Sequence, residues 1–166
     1  MRTMRHYLVL LAAVVATAAV ASAASGNPHF IRSATGASMS GSSLVCSFKE
    51  AGLSAGSTET IVCQATETVT YECVNNGGKN PQASNKTSTT TTGSASGQFP
   101  VDQNGNLTGT LTVTPQSAQQ VGFSCPGGQT VTFVGVSYSN VTITDLTSGA
   151  STSVSGTLSF TNPAAP

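Results

Sequence analysis

The sequence predicts an all-β antiparallel sandwich held by two disulfides, and three observations carry this prediction. Apolar residues recur at every second position along several runs, and no stretch keeps a helical period. Ser and Thr together make up 48 of the 166 residues, whereas charged residues make up only 7%. A surface helix usually needs charged side chains on its wet face, but Thr is both β-branched and polar and therefore suits a half-exposed strand.

The first segment has the features of a secretory signal peptide. Arg2 and Arg5 give it a positive start, an apolar run covers residues 7–20, and Ala21-Ser22-Ala23 offers the small side chains of a cleavage site. The run is shorter than the roughly 20 residues that a membrane-spanning helix needs. We expect cleavage of residues 1–23, which leaves residues 24–166 as a single secreted, extracellular domain with a flexible N-terminal segment and no membrane span.

Runs with alternating apolar residues are expected to be strands whose apolar face points inward. The inward positions are Leu44, Cys46, Phe48, Ile61, Cys63, Ala65, Val69, Tyr71, Cys73, Leu107, Gly109, Leu111, Val113, Val134, Val136, Tyr138, Val141, Ile143, Asp145, Val154, Gly156, Leu158 and Phe160. The phase slips near Ser139-Asn140, which we interpret as a bulge or bend. The Ser/Thr run at residues 87–92 is either an edge strand or a flexible connection.

Turn-forming residues separate these runs at the spacing that is typical of a sandwich. The predicted turns are residues 51–57, 75–85, 102–105, 126–129 and 147–149. About seven or eight strands in a domain of this length favour an immunoglobulin-like antiparallel β-sandwich with Greek-key connections. A jelly roll or a small barrel is the alternative.

Four cysteines remain after the expected cleavage, and an even number in an oxidising compartment implies two disulfides. Cys46 and Cys63 share the inward phase and are equidistant from the middle of the turn at residues 51–57, so a hairpin would place them opposite each other. Cys73 follows Cys63 on the same run with no Gly or Pro between them, and about 33 Å of straight strand would separate the two. The predicted pairs are Cys46–Cys63 and Cys73–Cys125.

The sequence contains few groups that could perform catalysis. His29 is the only histidine of the expected mature chain, and it lies in a segment expected to be frayed. The acids Glu59, Glu67, Asp102 and Asp145 lie in or beside predicted strands, and we interpret them as solvated outer-face or turn residues. No Cys-x-x-Cys pair suggests a zinc site. We therefore predict no enzymatic activity, no catalytic residues, no metal site and no cofactor.

Residues 102–106 read Asp-Gln-Asn-Gly-Asn and superficially match a calcium-binding loop. The glycine comes one position too early for an EF-hand, and position twelve is Val113 instead of Glu. A hairpin turn through Asn104-Gly105 is the better interpretation.

The most distinctive local sequence is the loop at residues 75–86. Side-chain amides and glycine-exposed backbone suit hydrogen bonding to a partner, and a Cys73–Cys125 bond would bring this loop next to the turn at residues 126–129. The alternative is that Asn and Gly only allow positive φ in a long connection. The candidate recognition residues are Asn75, Asn76, Lys79, Asn80, Gln82, Asn85, Lys86 and Gln129.

The same segments resemble a group of small secreted actinobacterial proteins of unassigned function. The shared pattern is Tyr-x-Cys-Val-Asn-x-Gly-Gly, Asn-Pro-x-Ala-x-Asn-Lys and Cys-Pro-x-Gly-Gln, which is matched here by residues 71–78, 80–86 and 125–129. The resemblance implies secretion and carries over no catalytic residue. It also implies that Cys73–Cys125 is the regular disulfide of the group and that Cys46–Cys63 is the more optional one.

In architecture, the chain is also similar to the neocarzinostatin-type apoproteins, which are secreted Ser/Thr/Gly-rich sandwiches that carry an apolar small molecule. Residues 51–56 are similar to one of their hairpins, but the cysteine spacing differs, so the similarity concerns architecture alone.

These observations favour a secreted, non-enzymatic binding or structural module of the extracellular space. Its partner would be a protein, a cell surface or a small molecule. One alternative is a carrier with an apolar cleft, and another is an enzyme inhibitor that presents the loop at residues 75–86. The expected mature chain has four basic and six acidic residues, and this weak charge argues against binding nucleic acid or an anionic membrane.

Overall fold

The computed structural model describes residues 26–78 and 85–166. The described residues form nine strands: β1 His29–Phe30, β2 Gly36–Ser40, β3 Ser43–Ala51, β4 Thr58–Asn75, β5 Lys86–Pro100, β6 Asn106–Val113, β7 Gln129–Asp145, β8 Ser151–Val154 and β9 Leu158–Thr161. A 3-10 turn at Arg32–Ala34 lies between β1 and β2. In this part of the chain, no helix is long and apolar enough to cross a membrane. The predicted signal peptide lies outside the described residues.

The strands form two antiparallel sheets that pack as a sandwich, which confirms the predicted fold class. In the first sheet, β3 pairs with β1 and β2 along one edge and with β6 along the other. In the second sheet the order is β5-β4-β7, and β8 and β9 share the remaining edge of β7. The nine strands therefore occupy seven positions across the two sheets.

Most of the core consists of inward positions that the alternation predicted. Val134 is an exception, because the register shift in β7 places Phe133 inward beside Tyr71 instead, and Gly156, which was also expected to be inward, is exposed. Leu44, Cys46 and Ile61 have no exposed surface, and Tyr138 is equally buried. The Tyr138 hydroxyl donates to the backbone carbonyl of Ser42, 3.2 Å away, so the polar end of this buried ring has a partner. The alternation identifies the buried face because successive side chains of a strand point to opposite sides of the sheet.

The predicted hairpin between β3 and β4 is wrong. β3 belongs to the first sheet and β4 to the second, so the turn at residues 51–57 crosses between the sheets. The predicted hairpin turn through Asn104-Gly105 is wrong for the same reason, because the turn at residues 102–105 leads from β5 in the second sheet to β6 in the first. Two strands joined by a short turn can bury their apolar sides either as sheet neighbours or as facing strands of two sheets. Alternation is the same in both arrangements and does not distinguish them.

The predicted irregularity near Ser139-Asn140 is confirmed as a β-bulge. Gln64 pairs with Thr142 and Thr66 pairs with Ser139, so β7 has one extra residue at this point. Asn140 has a positive φ of 51°. A second register shift follows between Thr70 and Tyr71 of β4, and the sequence did not predict it. Each bulge inverts the phase of β7, which keeps apolar side chains inward along a bent strand.

For one further segment the structure selects between two expected conformations, and two others differ from what the sequence predicted. Residues 87–92 belong to β5, which is an edge strand. The C-terminal run at residues 154–160 was expected to be one strand, but Gly156, with a φ of 97°, separates β8 from β9. Ahead of β3, a flexible segment was expected, and residues 29–40 instead contribute two strands to the first sheet.

Candidate functional site

The end of the sandwich where β4 finishes carries the described part of the predicted recognition loop. Cys73 and Cys125 form a disulfide with their Cα atoms 5.6 Å apart, as predicted. Asn75 pairs with Gln129 at the last position of the β4–β7 ladder, and Asn85 Nδ2 donates to Gln129 Oε1 at 3.4 Å. The disulfide therefore brings the two predicted polar segments to one end of the domain.

The described part of the loop also contains a compact turn. The backbone N–H of Gly77 donates to Asn75 Oδ1 at 3.0 Å, and the N–H of Gly78 donates to the Asn75 carbonyl at 2.9 Å. Asn76 lies within this turn and is exposed. Of the remaining candidate recognition residues, Lys79, Asn80 and Gln82 lie outside the described residues.

Lys86 was predicted to be a loop residue, but it begins β5 and makes an ion pair. Its Nζ lies 3.0 Å from Glu72 Oε2, and the Glu72 side chain is only 1% exposed. Glu72 and Lys86 are directly opposite each other in the β4–β5 ladder. Lys86 therefore compensates a buried carboxylate, and this structural role was not visible from its place in an Asn-rich segment.

The outer face of the second sheet is chemically uniform, and we call it the hydroxyl face. It consists of five cross-strand rows read from β5 through β4 and β7 to β8 or β9: Ser88–Thr70–Gly135–Thr161, Thr90–Thr68–Ser137–Ser159, Thr92–Thr66–Ser139, Ser94–Gln64–Thr142–Ser153 and Ser96–Val62–Thr144–Ser151. Sixteen of these 19 residues carry a hydroxyl group, and none is charged.

Hydroxyl groups of neighbouring strands bond to one another across this face. Thr68 and Thr90 are 2.8 Å apart between their Oγ1 atoms, and Thr70 Oγ1 lies 2.8 Å from Ser88 Oγ. On β7 and β8, Thr144 and Ser151 make a similar contact at 3.0 Å. A hydroxyl has one hydrogen to donate and two lone pairs, so each bonded pair retains capacity for a partner. The rows are spaced about 6.7 Å along the strands and about 4.8 Å across them.

The hydroxyl face and the predicted recognition loop are continuous. The Glu72–Lys86 pair is the next row after Ser88 and Thr70, and the loop begins just beyond it. Sequence reasoning placed Thr on the wet face of single strands but did not find the combined surface. The signal was present in the alternation, but the lateral order of β5, β4 and β7 was needed to assemble the rows.

Most of the acids are buried, and the prediction that they are solvated is wrong. Glu50, Glu59, Glu67, Glu72 and Asp145 are at most 4% exposed. Only Asp102, in the turn between β5 and β6, is exposed among the six acids of the sequence. Backbone N–H groups of Asn106 and Asn104 donate to its carboxylate and lower the pKa of Asp102. This pattern is the Asx-type turn of the predicted Asn104-Gly105 region.

Glu67 is buried between the sheets close to Tyr138. Its Oε1 accepts from the backbone N–H of Gln116 at 2.8 Å, and the Gln116 carbonyl accepts from the Tyr71 hydroxyl at 2.7 Å. Its other oxygen, Oε2, has no hydrogen-bond partner among the described residues. Burial raises the pKa of Glu67, because the charged form loses its hydration.

A second group of buried acids lies at the opposite end of β4. Glu50 of β3, Glu59 of β4 and Asp145 of β7 meet there, and Ser57 and Ser148 donate hydroxyl hydrogen bonds to the two glutamates. Burial raises the pKa of Glu50 to about 7, and the nearby Asp145 carboxylate adds to the effect. Among the described residues, no cluster of His, Cys and acidic side chains has the arrangement of a metal site.

Several surface clefts include hydroxyl residues in their lining. One has a volume of about 550 Å³ and is lined by Arg32, Thr35 and residues 151–155. Another, of about 250 Å³, lies on the hydroxyl face beside Thr68, Thr70 and Ser137. The buried acids line neither of these clefts. A comparison with models of protein families finds no match to this chain, and a comparison with curated proteins finds none either.

Proposed function

We propose that this chain is a secreted, non-enzymatic binding module and that the hydroxyl face is its binding surface. The observation that carries the proposal is the five uncharged rows of Ser and Thr across the second sheet. Such a face donates and accepts many hydrogen bonds at fixed spacing, and its side chains lose little entropy on binding because Ser and Thr are short. It suits a neutral partner that also presents repeated hydroxyl or amide groups.

The placement of the ionisable residues supports a role without catalysis. General acid–base chemistry needs a titratable group within hydrogen-bonding reach of a substrate. Five of the six acids are buried, and His29 lies exposed on β1, where its ring bonds to the nearby Asn27 carbonyl. The large clefts are lined mainly by hydroxyl side chains, which do not act as nucleophiles without an adjacent base.

Two further parts of the proposal concern location and fold type. The pair of disulfides supports export to an oxidising compartment, where such bonds persist. We also infer an immunoglobulin-like classification, because three and four strand positions face each other and short turns cross between the sheets.

Salt dependence of binding tests the proposed surface. The processed chain is incubated with the washed, insoluble cell envelope of the producing organism and with insoluble neutral polysaccharides, and the bound fraction is measured after sedimentation. If binding occurs through an uncharged face, the bound fraction is expected to change by less than about twofold between low and physiological salt, because salt screens only interactions between charges. Binding that falls steeply with salt would assign recognition to charged side chains outside this face and would contradict the hydroxyl face. Failure to bind any of these surfaces would contradict it as well.

A further inference from the structure

We propose that Glu50 and Asp145 share one proton in the folded domain and form a proton-dependent clasp that holds the two sheets together at one end of the sandwich. Glu50 lies near the end of β3 in the first sheet, and Asp145 is the last residue of β7 in the second. Their contact therefore spans the interior between the sheets. The proposal concerns a regulatory property of the fold and is independent of the hydroxyl face.

The hydrogen bonds of this pair leave one oxygen on each carboxyl group for the other. Ser148 Oγ donates to Glu50 Oε1 at 3.1 Å, and the backbone N–H of Thr147 donates to Asp145 Oδ1 at 2.8 Å. Glu50 Oε2 and Asp145 Oδ2 have no donor among the described residues, and the two side chains are within hydrogen-bonding reach of each other. Two ionised carboxylates cannot bond in this way, but one shared proton satisfies both oxygens.

The surroundings disfavour two negative charges at this place. Neither Glu50 nor Asp145 has exposed surface, and the residues opposite Glu50 in the first sheet are Phe30 and Leu107. Glu59 on β4 is a third buried carboxyl group near the pair. In the part of the chain that the structure describes, no cation lies within 4 Å of these acids.

The other ionisable groups at this end lie towards the surface. Lys49 is next to Glu50 on β3, and its side chain therefore points to the outer face of the sheet, where it interacts with Asp102. His29 is exposed on β1 and pairs in register with Ala51. Because Lys49 and His29 lie at the surface, neither compensates the negative charge of the buried Glu50–Asp145 pair. A bound proton can neutralise one of these two charges.

The direction of the pH effect follows from linkage. The folded domain holds the Glu50 proton up to a pKa of about 7, whereas the unfolded chain releases it near the ordinary value of 4.5. The stabilisation is therefore complete below about pH 4.5 and is lost as the pH rises through about 7. Above that pH, like charges meet across the interior, and the turns at residues 51–57 and 146–150, which directly follow Glu50 and Asp145 in the chain, are where we expect the loosening. The clasp is closed in acidic surroundings and open in alkaline ones.

Hydrogen exchange of the full processed chain tests the clasp. Exchange is measured at about pH 5.5 and about pH 8 and is corrected for the intrinsic pH dependence of the amide reaction. In the wild type, we expect protection of residues 48–53 and 143–150 to fall at least about tenfold at the higher pH. In Glu50→Gln, whose amide donates a hydrogen bond to Asp145 at either pH, we expect this change to disappear. Asp102→Asn, which alters an exposed acid of the same end, is expected to behave as the wild type.

Three outcomes would overturn the proposal. The first is an unchanged protection of residues 48–53 and 143–150 in the wild type, and this measurement remains informative if a variant fails to fold. The second is the same pH response in Glu50→Gln as in the wild type, or its loss in Glu67→Gln, which would assign it to the other buried glutamate. The third is full restoration of protection at about pH 8 by millimolar calcium or magnesium, which would identify a cation site instead of a shared proton.

Discussion

Cys46 on β3 and Cys63 on β4 form a disulfide that connects the two sheets, with their Cα atoms 6.3 Å apart. Each cysteine has sheet neighbours of its own: Cys46 pairs in register with Ala37 and Leu111, and Cys63 pairs with Ala95 and Ile143. The bond is therefore a covalent link through the core, close to the middle of β3. It fixes how the inner faces of the sheets lie on each other, which backbone hydrogen bonds within a sheet do not do.

Removal of this link is expected to destabilise the domain without changing its sheets. Cys46→Ala with Cys63→Ala should lower the free energy of unfolding by about 3 kcal/mol, from the loop that the bond closes in the unfolded chain. The Cys73–Cys125 bond closes a longer loop, so Cys73→Ala with Cys125→Ala should lower the free energy of unfolding by about 4 kcal/mol. Urea unfolding of the two double variants checks this order. A larger loss from the shorter loop would show that packing in the core, not chain entropy, dominates.

Gly109 on β6 is required by the aromatic packing of the core. A Cβ atom at this position would lie 2.4 Å from the Phe99 ring and 2.9 Å from the Phe48 ring, and these two rings make an edge-to-face contact at 5.0 Å. Gly109→Ala is expected to destabilise the domain by about 1–3 kcal/mol through overpacking. Gly36→Ala is the control, because a Cβ there meets nothing within 4 Å. Equal stabilities of the two variants in thermal unfolding would refute this account of the core.

Lys86 is expected to contribute to stability as well as to any binding at the loop. Lys86→Met keeps the aliphatic stem and removes the charge that faces the buried Glu72 carboxylate. Because this pair is half-exposed on the lysine side, we expect a loss of about 1–2 kcal/mol. Lys49→Met removes a lysine that makes no ion pair within 4 Å among the described residues, and it should change stability by less than about 0.5 kcal/mol. Chemical denaturation of both variants decides whether the ion pair matters.

The features that the sequence predicted correctly are those that depend on local chemistry. The inward positions of β3 and β4 follow from the period of two, and the bulge at Asn140 follows from a break in that period. The pairing of Cys46 with Cys63 was also correct, although the supporting argument from a hairpin was not. Facing positions on two sheets and opposite positions on one hairpin satisfy the same symmetry about a short turn.

The features that the sequence did not reveal depend on the neighbours of each strand. The rows of the hydroxyl face form only when β5, β4 and β7 lie side by side, and no local pattern specifies that order. The buried acids are a different case. Glu50, Glu59, Glu67 and Asp145 continue the inward phase of their strands, so alternation placed them inside. They were nevertheless interpreted as solvated, because acidic side chains are generally exposed.

The most direct test of the hydroxyl face compares matched lysine substitutions on two edge strands. Thr90→Lys with Thr92→Lys places charges on exposed positions of β5, within the face, and Thr108→Lys with Thr110→Lys places them on exposed positions of β6, on the other sheet. Binding to the washed cell envelope is measured for both double variants, with thermal unfolding to confirm that each is folded. The account predicts at least about tenfold weaker binding for the β5 variant, or about 1.4 kcal/mol, and unchanged binding for the β6 variant. Equal binding by the two folded variants would contradict the hydroxyl face as the binding surface.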